Sequence, residues 1–511
     1  MYPGVYAATT PTKPAVIMAP TGETVTYEEL EHRSAQIAHY FRSLGLRRGD
    51  HIALVSTNEA RIFDIYWAAM RSGLFITVVN THLTAAEVAY IVDDCNADLL
   101  IVSASLADLA TDERLIRETP RVRHRVVFGG TATGHTPLDE VVCGMPTTAP
   151  ADQPRGADML YSSGTTGRPK GIVPILPDRQ VHEPGDTLTA LAAGRWAIDA
   201  DSVYLSPAPL YHAAPLRTCA AVQALGGTVV VMDRFDAETA LRNIQDYKIT
   251  HSQWVPTMFV RMLKLPNEMR LSYDVSSMQV AIHAAAPCPI QVKQSMIDWW
   301  GPILVEYYSS TEMNGMTLIT SEEWLRKPGS VGRDGVLGIV HICADDGTEL
   351  PPGQNGVVYF ERDELPFNYH NDPDKTRKAQ HPHHPNWTTT GDMGYLDEDR
   401  YLYLTDRQSF MIISGGVNIY PQEIENCLTM HPGVLDIAVI GEPHPEMGES
   451  VVALVQPTPE ASRDLEGTEV ALREHAQEHL AGYKRPRRYA FVEQLPRTPT
   501  GKLAKHRITL A

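Results

Sequence analysis

Apolar and polar positions follow two alternating rhythms through most of the chain. Residues 24–45 (TVTYEELEHRSAQIAHYFRSLG) place Leu30, Ala35, Ile37, Ala38 and Phe41 near helical spacing, and Gly45 ends the run as a C-cap. A short apolar strand follows at 51–56 (HIALVS), then a helical pattern over about 59–72 and a strand at 75–80 (FITVVN). The rhythm repeats with helix 84–95, strand 98–103, helix 106–118 and strand 125–128. It resumes with strand 202–206, helix 214–225, strand 227–232, helix 236–247, strand 249–252 and helix 257–264. Helices alternating with short Val/Ile-rich strands predict an α/β fold, its parallel sheets covered by helices on both faces.

From about 329 the texture changes to Gly, Pro and short alternating strands (HICADDGTELPPGQNGVVYFE), which predicts a small antiparallel β subdomain. After Arg407 comes a compact stretch of about a hundred residues. It reads as strand 410–414, helix 421–431, strands 435–441 and 450–457 and helix 468–481, a separate small α+β domain. The division expected is therefore a large N-terminal domain over 1–405 and a C-terminal domain over 410–511. The Pro/Asp-rich stretch at 174–186 reads as a surface loop, and no internal repeat is visible.

Composition narrows the function. At 511 residues the chain exceeds the roughly 250–300 that one core supports, in keeping with more than one domain. The net charge of −18 argues against nucleic-acid partners, which need a basic footprint, but leaves room for a local basic site. Cys95, Cys143, Cys219, Cys288, Cys343 and Cys427 form no C-x-x-C pair. They read as reduced thiols of a cytoplasmic protein, with neither a zinc set of ligand spacing nor a disulfide frame. The opening residues lack a basic n-region and an apolar h-region, so no secretory signal is expected. No uncharged apolar run reaches the roughly 18 residues that would suggest a membrane span.

The densest chemistry lies at 161–171, YSSGTTGRPKG, after a predicted strand end at Met159-Leu160. Gly164 and Gly167 permit close backbone approach, Ser162, Ser163, Thr165 and Thr166 add hydroxyl donors, and Lys170 adds a point charge. Together they describe a cradle for a polyphosphate. It is not the Walker loop, because Gly171 follows Lys170 and the glycine spacing differs.

This string resembles the signature loop of the adenylate-forming superfamily of acyl-CoA synthetases, aryl-CoA ligases, luciferases and adenylation domains. Six further motifs occur in that family's order: PAPLYHAAP (207–215), HAAAP (283–287), EYYSSTE (306–312), TTTGD (388–392), DRQSFMIISGGVNIYPQEIE (406–425) and PRTPTGK (496–502). The likeness is greatest to bacterial CoA ligases of fatty, aromatic or steroid-type acids. It implies activation of a carboxylic acid by ATP to an acyl-adenylate with release of pyrophosphate, then transfer to CoA, with Mg²⁺ as cofactor.

The resemblance also implies roles. The 162–170 loop would close over the β- and γ-phosphates, Thr311 would bond the α-phosphate, and Glu312 would carry Mg²⁺, a hard cation suited to carboxylate. Read alone, Thr311-Glu312 also fits a helix start. Tyr308 would stack on adenine opposite Ala285, Ala286 and Pro287, with Glu306 and Tyr307 alongside. Asp392 would accept the ribose hydroxyls, and Arg407 would bond the ribose or a phosphate. Lys502 would stabilise charge during adenylation, in a tail (482–511) with eight basic residues against Glu493. A hinge at 406–409 would let a mobile C-terminal domain bring Ser414, Gly415, Gly416 and Lys484 to CoA. Relatives commonly carry Lys or Asp where this chain has Ser409, and an acid where it has Phe410.

His212 resembles a gating aromatic between the adenylate and the CoA tunnel. The acid pocket implied is His212, Ala213, Ala214, Trp254, Ala284, Tyr307, Met313 and Met316, with Tyr307 in place of a common glycine and so a shortened pocket. No fixed charge among them suits an amino group, which disfavours amino acids. An apolar or aromatic acid is expected: a fatty acid, a steroid side chain or a hydroxycinnamate type. The cluster His381, His383 and His384 reads as a solvated loop, since prolines interrupt it. Two rivals stay open, an adenylation enzyme loading a carrier protein and a non-catalytic nucleotide-binding protein. The expected partners are the acid, ATP and CoA, with a homodimer left open.

Overall fold

The computed structural model describes residues 2–162, 169–407, 410–415, 417–497 and 503–508, and only the backbone of Arg407 and His506. The chain forms two compact units. The first gathers 1–253, 271–281 and 366–376, and the second gathers 254–270, 282–365 and 377–511.

In the first unit a wholly parallel sheet runs in the order Thr136–Pro137, His124–Phe128, Leu99–Ser103, His51–Val55, Phe75–Val79, Ala157–Asp158. Phe75–Val79 and Leu99–Ser103 are buried at every position, which explains their unbroken apolar runs. Val88, Ile91 and Val92 of the helix Ala85–Asp94 pack on Val55, Leu100 and Val102. A second sheet sets Val203–Ser206, Thr228–Val231 and Pro14–Met18 in parallel, with Thr24–Thr26 antiparallel at its edge.

Local signals act as the sequence suggests. Thr26 and Glu29 form a reciprocal capping box on the helix Tyr27–Ser43, and Gly45 takes φ +81 beyond its end. One expectation needs correction. The helix read over 106–118 is two short helices, Ala107–Ala110 and Glu113–Glu118, because Asp112 caps the second with its own side chain.

A three-stranded antiparallel sheet carries Ser162 and Lys170. Leu160–Ser162 and Lys170–Pro174 pair with Ser162 opposite Lys170, and Phe367–Tyr369 adds to the second strand.

The second unit is antiparallel where the sequence changes texture. Leu304–Ser309 pairs with Met316–Thr320, which pairs with Arg333–Leu337. A further sheet runs Ile339–Cys343, Gly356–Glu361, Asp392–Leu396, Leu402–Arg407, with Trp387–Thr388 alongside. His381 departs from expectation: it is 4% exposed, not solvated. Its Nε2 donates to the Gly347 carbonyl, and its Nδ1 accepts the His383 and His384 amides.

The small α+β domain follows. Its sheet runs Val417–Ile419, Ile412–Ser414, Gly448–Pro457, Val434–His444, with Arg488–Phe491 parallel to Gly448–Pro457. The helices Pro421–Leu428 and Leu465–His479 supply Ile424, Leu428, Leu472 and Ala476 to its core. The two helices also bring Cys427, His475 and His479 together, a set that the sequence pattern had not suggested. Lys264, just past the helix Pro256–Leu263, sends its amine to the Thr429 and Val434 carbonyls at 3.0 and 2.6 Å. Burial pushes that amine down to about 8. Among the described residues no helix is long and apolar enough to cross a membrane.

The first unit carries a pH liability. His51 stacks on Phe75 at 4.8 Å, and burial, then the nearby His370, push its imidazole down to about 4. As pH falls from 6.5 towards 4, the unfolded chain takes up this proton before the folded chain does, so stability falls across that window. His51→Phe should flatten the decline of Tm over the same range. Matching slopes in the two proteins would remove His51 from the account.

Candidate active site

The strand Leu304–Ser309 opens with a buried ion pair. Glu306 meets Lys293 of the helix Ile290–Trp300 at 2.6 Å, with side-chain exposures of 5% and 0%. The ammonium also lies 5.0 Å from the Trp324 ring centre. Burial pushes the Glu306 carboxyl up while Lys293 pulls it down. His283 Nε2 is 3.7 Å away, and burial followed by the Lys293 charge keeps that ring neutral. The Glu306 carboxylate is therefore engaged in holding the strand.

Past the pair, the chain turns through 310–315. Ser309 Oγ donates to the Gly315 carbonyl and Ser310 Oγ to Asn314 Oδ1. Met313 takes φ +53, and Arg362 donates to its carbonyl at 3.0 Å. A side chain at Gly315 would run into the Phe360 ring, so the return strand needs glycine there. This turn presents Thr311, half-buried, and Glu312, 9% exposed. No helix begins here, so the Thr311-Glu312 pair is a turn and not a helix start.

Tyr308 and Asp392 are brought together. The phenol donates to Asp392 Oδ2 at 2.8 Å, and Thr390 Oγ1 donates to the same oxygen at 2.9 Å. Asp392 pairs across the sheet with Arg407, whose side chain lies outside the described residues. The Tyr308 ring rests on Phe360, centroids 5.8 Å apart. After the strand Val280–His283, Ala284 is buried, Ala285 is exposed at φ +77, Ala286 is half-buried and Pro287 is exposed.

The residues of this unit expected to line an acid pocket divide by burial. Trp254 is packed against Trp300 and Phe259, centroids 5.7 and 6.3 Å apart, and Met316 and Ala284 are also buried. Tyr307 and Met313 keep accessible surface. In the first unit, His212 precedes the helix Ala213–Ala224, half-buried, with its ring 4.5 Å from that of Tyr211. Ala213 and Ala214 form the first turn. Lys170 Nζ lies 5.3 Å from the Tyr369 ring centre.

In the small domain Gly415 takes φ +58 and donates its amide to the Met447 carbonyl, next to Ser414 in its strand. Lys484 is bonded to both carboxylate oxygens of Glu423 at 2.6 and 2.7 Å. Phe410 lies 5.4 Å from Lys505 Nζ, which pairs with Glu425 at 2.8 Å. Ser163, Gly164, Thr165, Thr166, Gly167, Ser409, Gly416 and Lys502 lie outside the described residues.

Sequence reasoning passed over Lys293. The signal was there: Lys293 falls on the stripe of Met296, Ile297 and Trp300, the one charge on a buried helical face. Lys293→Met should cost about 3–5 kcal/mol, since it strands a buried carboxylate. The double variant Lys293→Met/Glu306→Leu should recover most of that loss. Urea unfolding midpoints measure both, and a mild single-variant effect would show that the pair does not hold the strand.

A profile of the AMP-binding enzyme family matches residues 5–366, and one of the AMP-binding enzyme C-terminal domain matches 423–502. The chain is 32% identical to the long-chain-fatty-acid–CoA ligase FadD13 of Mycobacterium tuberculosis, over 98% of this chain and 95% of that one. It is 31% identical to a feruloyl-CoA synthase of an Amycolatopsis species, over 95% and 93% of the two chains. Its fold superposes on ATP-bound MatB from Rhodopseudomonas palustris with TM-score 0.80 and 27% identity, covering 99% and 98%. With a turn that presents Thr311 and Glu312, a Tyr308–Asp392 pair and matches along both parts of its length, the chain belongs to the AMP-binding enzymes, the adenylate-forming superfamily of AMP-forming acid–thiol ligases.

Proposed function

We propose that the chain is an ATP-dependent carboxylic acid–CoA ligase. The acid oxygen attacks the α-phosphorus of ATP, forming acyl-AMP and releasing pyrophosphate. The CoA thiol then attacks the acyl carbon, and AMP leaves. The observation that carries this reading is the Asp392 carboxylate, held by Tyr308 and Thr390 in the unit that also presents Thr311 and Glu312. A carboxylate fixed by two donors suits the paired hydroxyls of a ribose.

The remaining roles follow from charge. The segment from Ser162 to Lys170, including Ser163, Gly164, Thr165, Thr166 and Gly167, would enclose the β- and γ-phosphates, with Ser162 and Lys170 opposite each other in paired strands. Thr311 would donate to the α-phosphate, where charge accumulates. Glu312 fits Mg²⁺: it is a carboxylate almost withdrawn from solvent, and bound Mg²⁺ would neutralise phosphate oxygens there. Arg407 and Lys502 would add cationic charge. We take 1–405 as the nucleotide- and acid-binding domain, 406–409 as the hinge with Ser409 in it, and 410–511 as the mobile domain. Gly415 and Gly416 would line the CoA path, as would Ser414. Lys484 would reach CoA only by leaving Glu423.

The acid proposed is apolar or aromatic, in keeping with relatives named for long-chain fatty acids and for ferulate. His212, Tyr307 and Met313 are the proposed determinants, since each keeps accessible surface.

Activity should vanish in EDTA and return with Mg²⁺ or Mn²⁺, whereas full turnover in EDTA would unseat Glu312 from its role. AMP release that depends on CoA supports the ligase, and dependence on a carrier protein instead would favour the rival reading. Tyr307→Gly should shift preference to longer or bulkier acids, each extra buried methylene contributing about 0.8 kcal/mol. An unchanged acid profile would show that Tyr307 does not cap the pocket. Lys502→Ala should slow acyl-AMP formation by on the order of 10²–10³ while leaving conversion of presynthesised acyl-AMP to acyl-CoA near wild type. Ser409→Pro should impair the second half-reaction more than the first. Single-turnover assays of each half decide. Equal slowing of both halves by Lys502→Ala would refute the alternation.

A further inference from the structure

The small domain holds a cluster that the ligase reaction does not use. Cys427 lies in the helix Pro421–Leu428, and His475 and His479 lie one turn apart in the helix Leu465–His479. One ligand atom from each of the three lies within 4.8 Å of the others. Cys427 and His475 are half-buried and His479 is exposed.

The hydrogen bonds settle which nitrogens are available. His475 Nε2 lies 3.1 Å from the Cys427 carbonyl, and His479 Nδ1 lies 2.9 Å from the His475 carbonyl. A carbonyl oxygen only accepts, so both of those nitrogens carry hydrogen. With those nitrogens anchored, His475 has Nδ1 and His479 has Nε2 left to offer, and the two rings stack with centroids 4.3 Å apart and planes 28° apart, so one ring has to turn before both can face one ion. Metal-ligating histidines characteristically use this arrangement, with one nitrogen anchored to an acceptor and the other turned to the ion. His431 lies near, its ring 5.5 Å from that of His475, but its Nδ1 already accepts the Gly433 amide, so it is not a ligand.

We propose that Cys427, His475 and His479 bind one divalent cation of the zinc class, a site separate from the nucleotide chemistry. One thiolate and two imidazoles suit a borderline-soft ion and are poor partners for Mg²⁺. A tetrahedral ion at about 2.0–2.3 Å from its ligands needs donor atoms roughly 3.3–3.7 Å apart. The cluster therefore has to close by about an ångström, which exposed His479 at the last helical turn supplies by rotating off the His475 ring and giving up its bond to the His475 carbonyl. A cysteine thiol is ordinarily protonated at neutral pH, and a metal takes it as the thiolate. Binding forms one metal–sulfur bond and releases one proton per ion, and water fills the fourth position. The ion would clamp the helix carrying Cys427 to the helix carrying both histidines.

The full chain, freed of transition metals and kept in Mg²⁺, is titrated with Co²⁺ and then Zn²⁺. The expected results are one Co²⁺ per chain, a thiolate-to-cobalt charge-transfer band, displacement by Zn²⁺ and a higher Tm with either ion. Cys427→Ser should abolish the band, and His479→Ala, a change at an exposed position, should weaken Co²⁺ binding about tenfold or more. Both variants should keep the metal-free Tm and the AMP-release rate of the wild type. A wild-type spectrum without a thiolate band at saturating Co²⁺, or a band that survives in Cys427→Ser, overturns the site. Unchanged Co²⁺ affinity in His479→Ala also overturns it.

Discussion

The buried pair of Lys293 and Glu306 is the constraint on which the strand Leu304–Ser309 and the turn after it rest. Two opposite charges without solvent tolerate little displacement, because any gap leaves both desolvated and neither compensated. The pair fixes the helix Ile290–Trp300 against the start of the strand Leu304–Ser309. Everything that strand delivers inherits its position: Tyr307, Tyr308 and then the turn with Thr311 and Glu312. A hydrophobic pair could fill the space but would not penalise a slip along the strand as steeply. Register matters here, because a slip of one residue would exchange Tyr307 and Tyr308 between faces.

Asp392 shows how such precision passes to a second element. Its strand follows the Thr388-Thr389-Thr390-Gly391 segment, and its carboxylate takes one bond from its own segment and one from Tyr308. The carboxylate is thus oriented by two donors, and in the proposed role as ribose acceptor this would lower the ordering cost of binding.

Much of this was legible from residues alone. Alternation of apolar strands and amphipathic helices marks the parallel sheets, whereas Met159-Leu160, read as a strand end, is where the strand Leu160–Ser162 starts. The change near 329 does mark antiparallel strands. What escaped reading shares one cause: side-chain partners remote in sequence. Glu306 looks like a ligand until Lys293 is found beside it. The HPHHP segment looks solvated until the Gly347 carbonyl takes up His381. Cys427 and His475 belong to different helices, and no spacing rule links positions that only tertiary packing joins. The split at Asp112 is different in kind, because the Asp was visible and its competition for backbone amides was underweighted.

Lys264 has a consequence for motion. Its ammonium is half-buried and faces the carbonyls of Thr429, Val434 and Leu435, while the Asp436 carboxylate acts on its charge from further off. Parting those groups returns the cation to bulk solvent, and the hydration it regains offsets much of what the lost bonds supplied. A carboxylate partner would have made the same contact a lock. With carbonyls the contact works as a catch, set by direction and geometry more than by charge attraction.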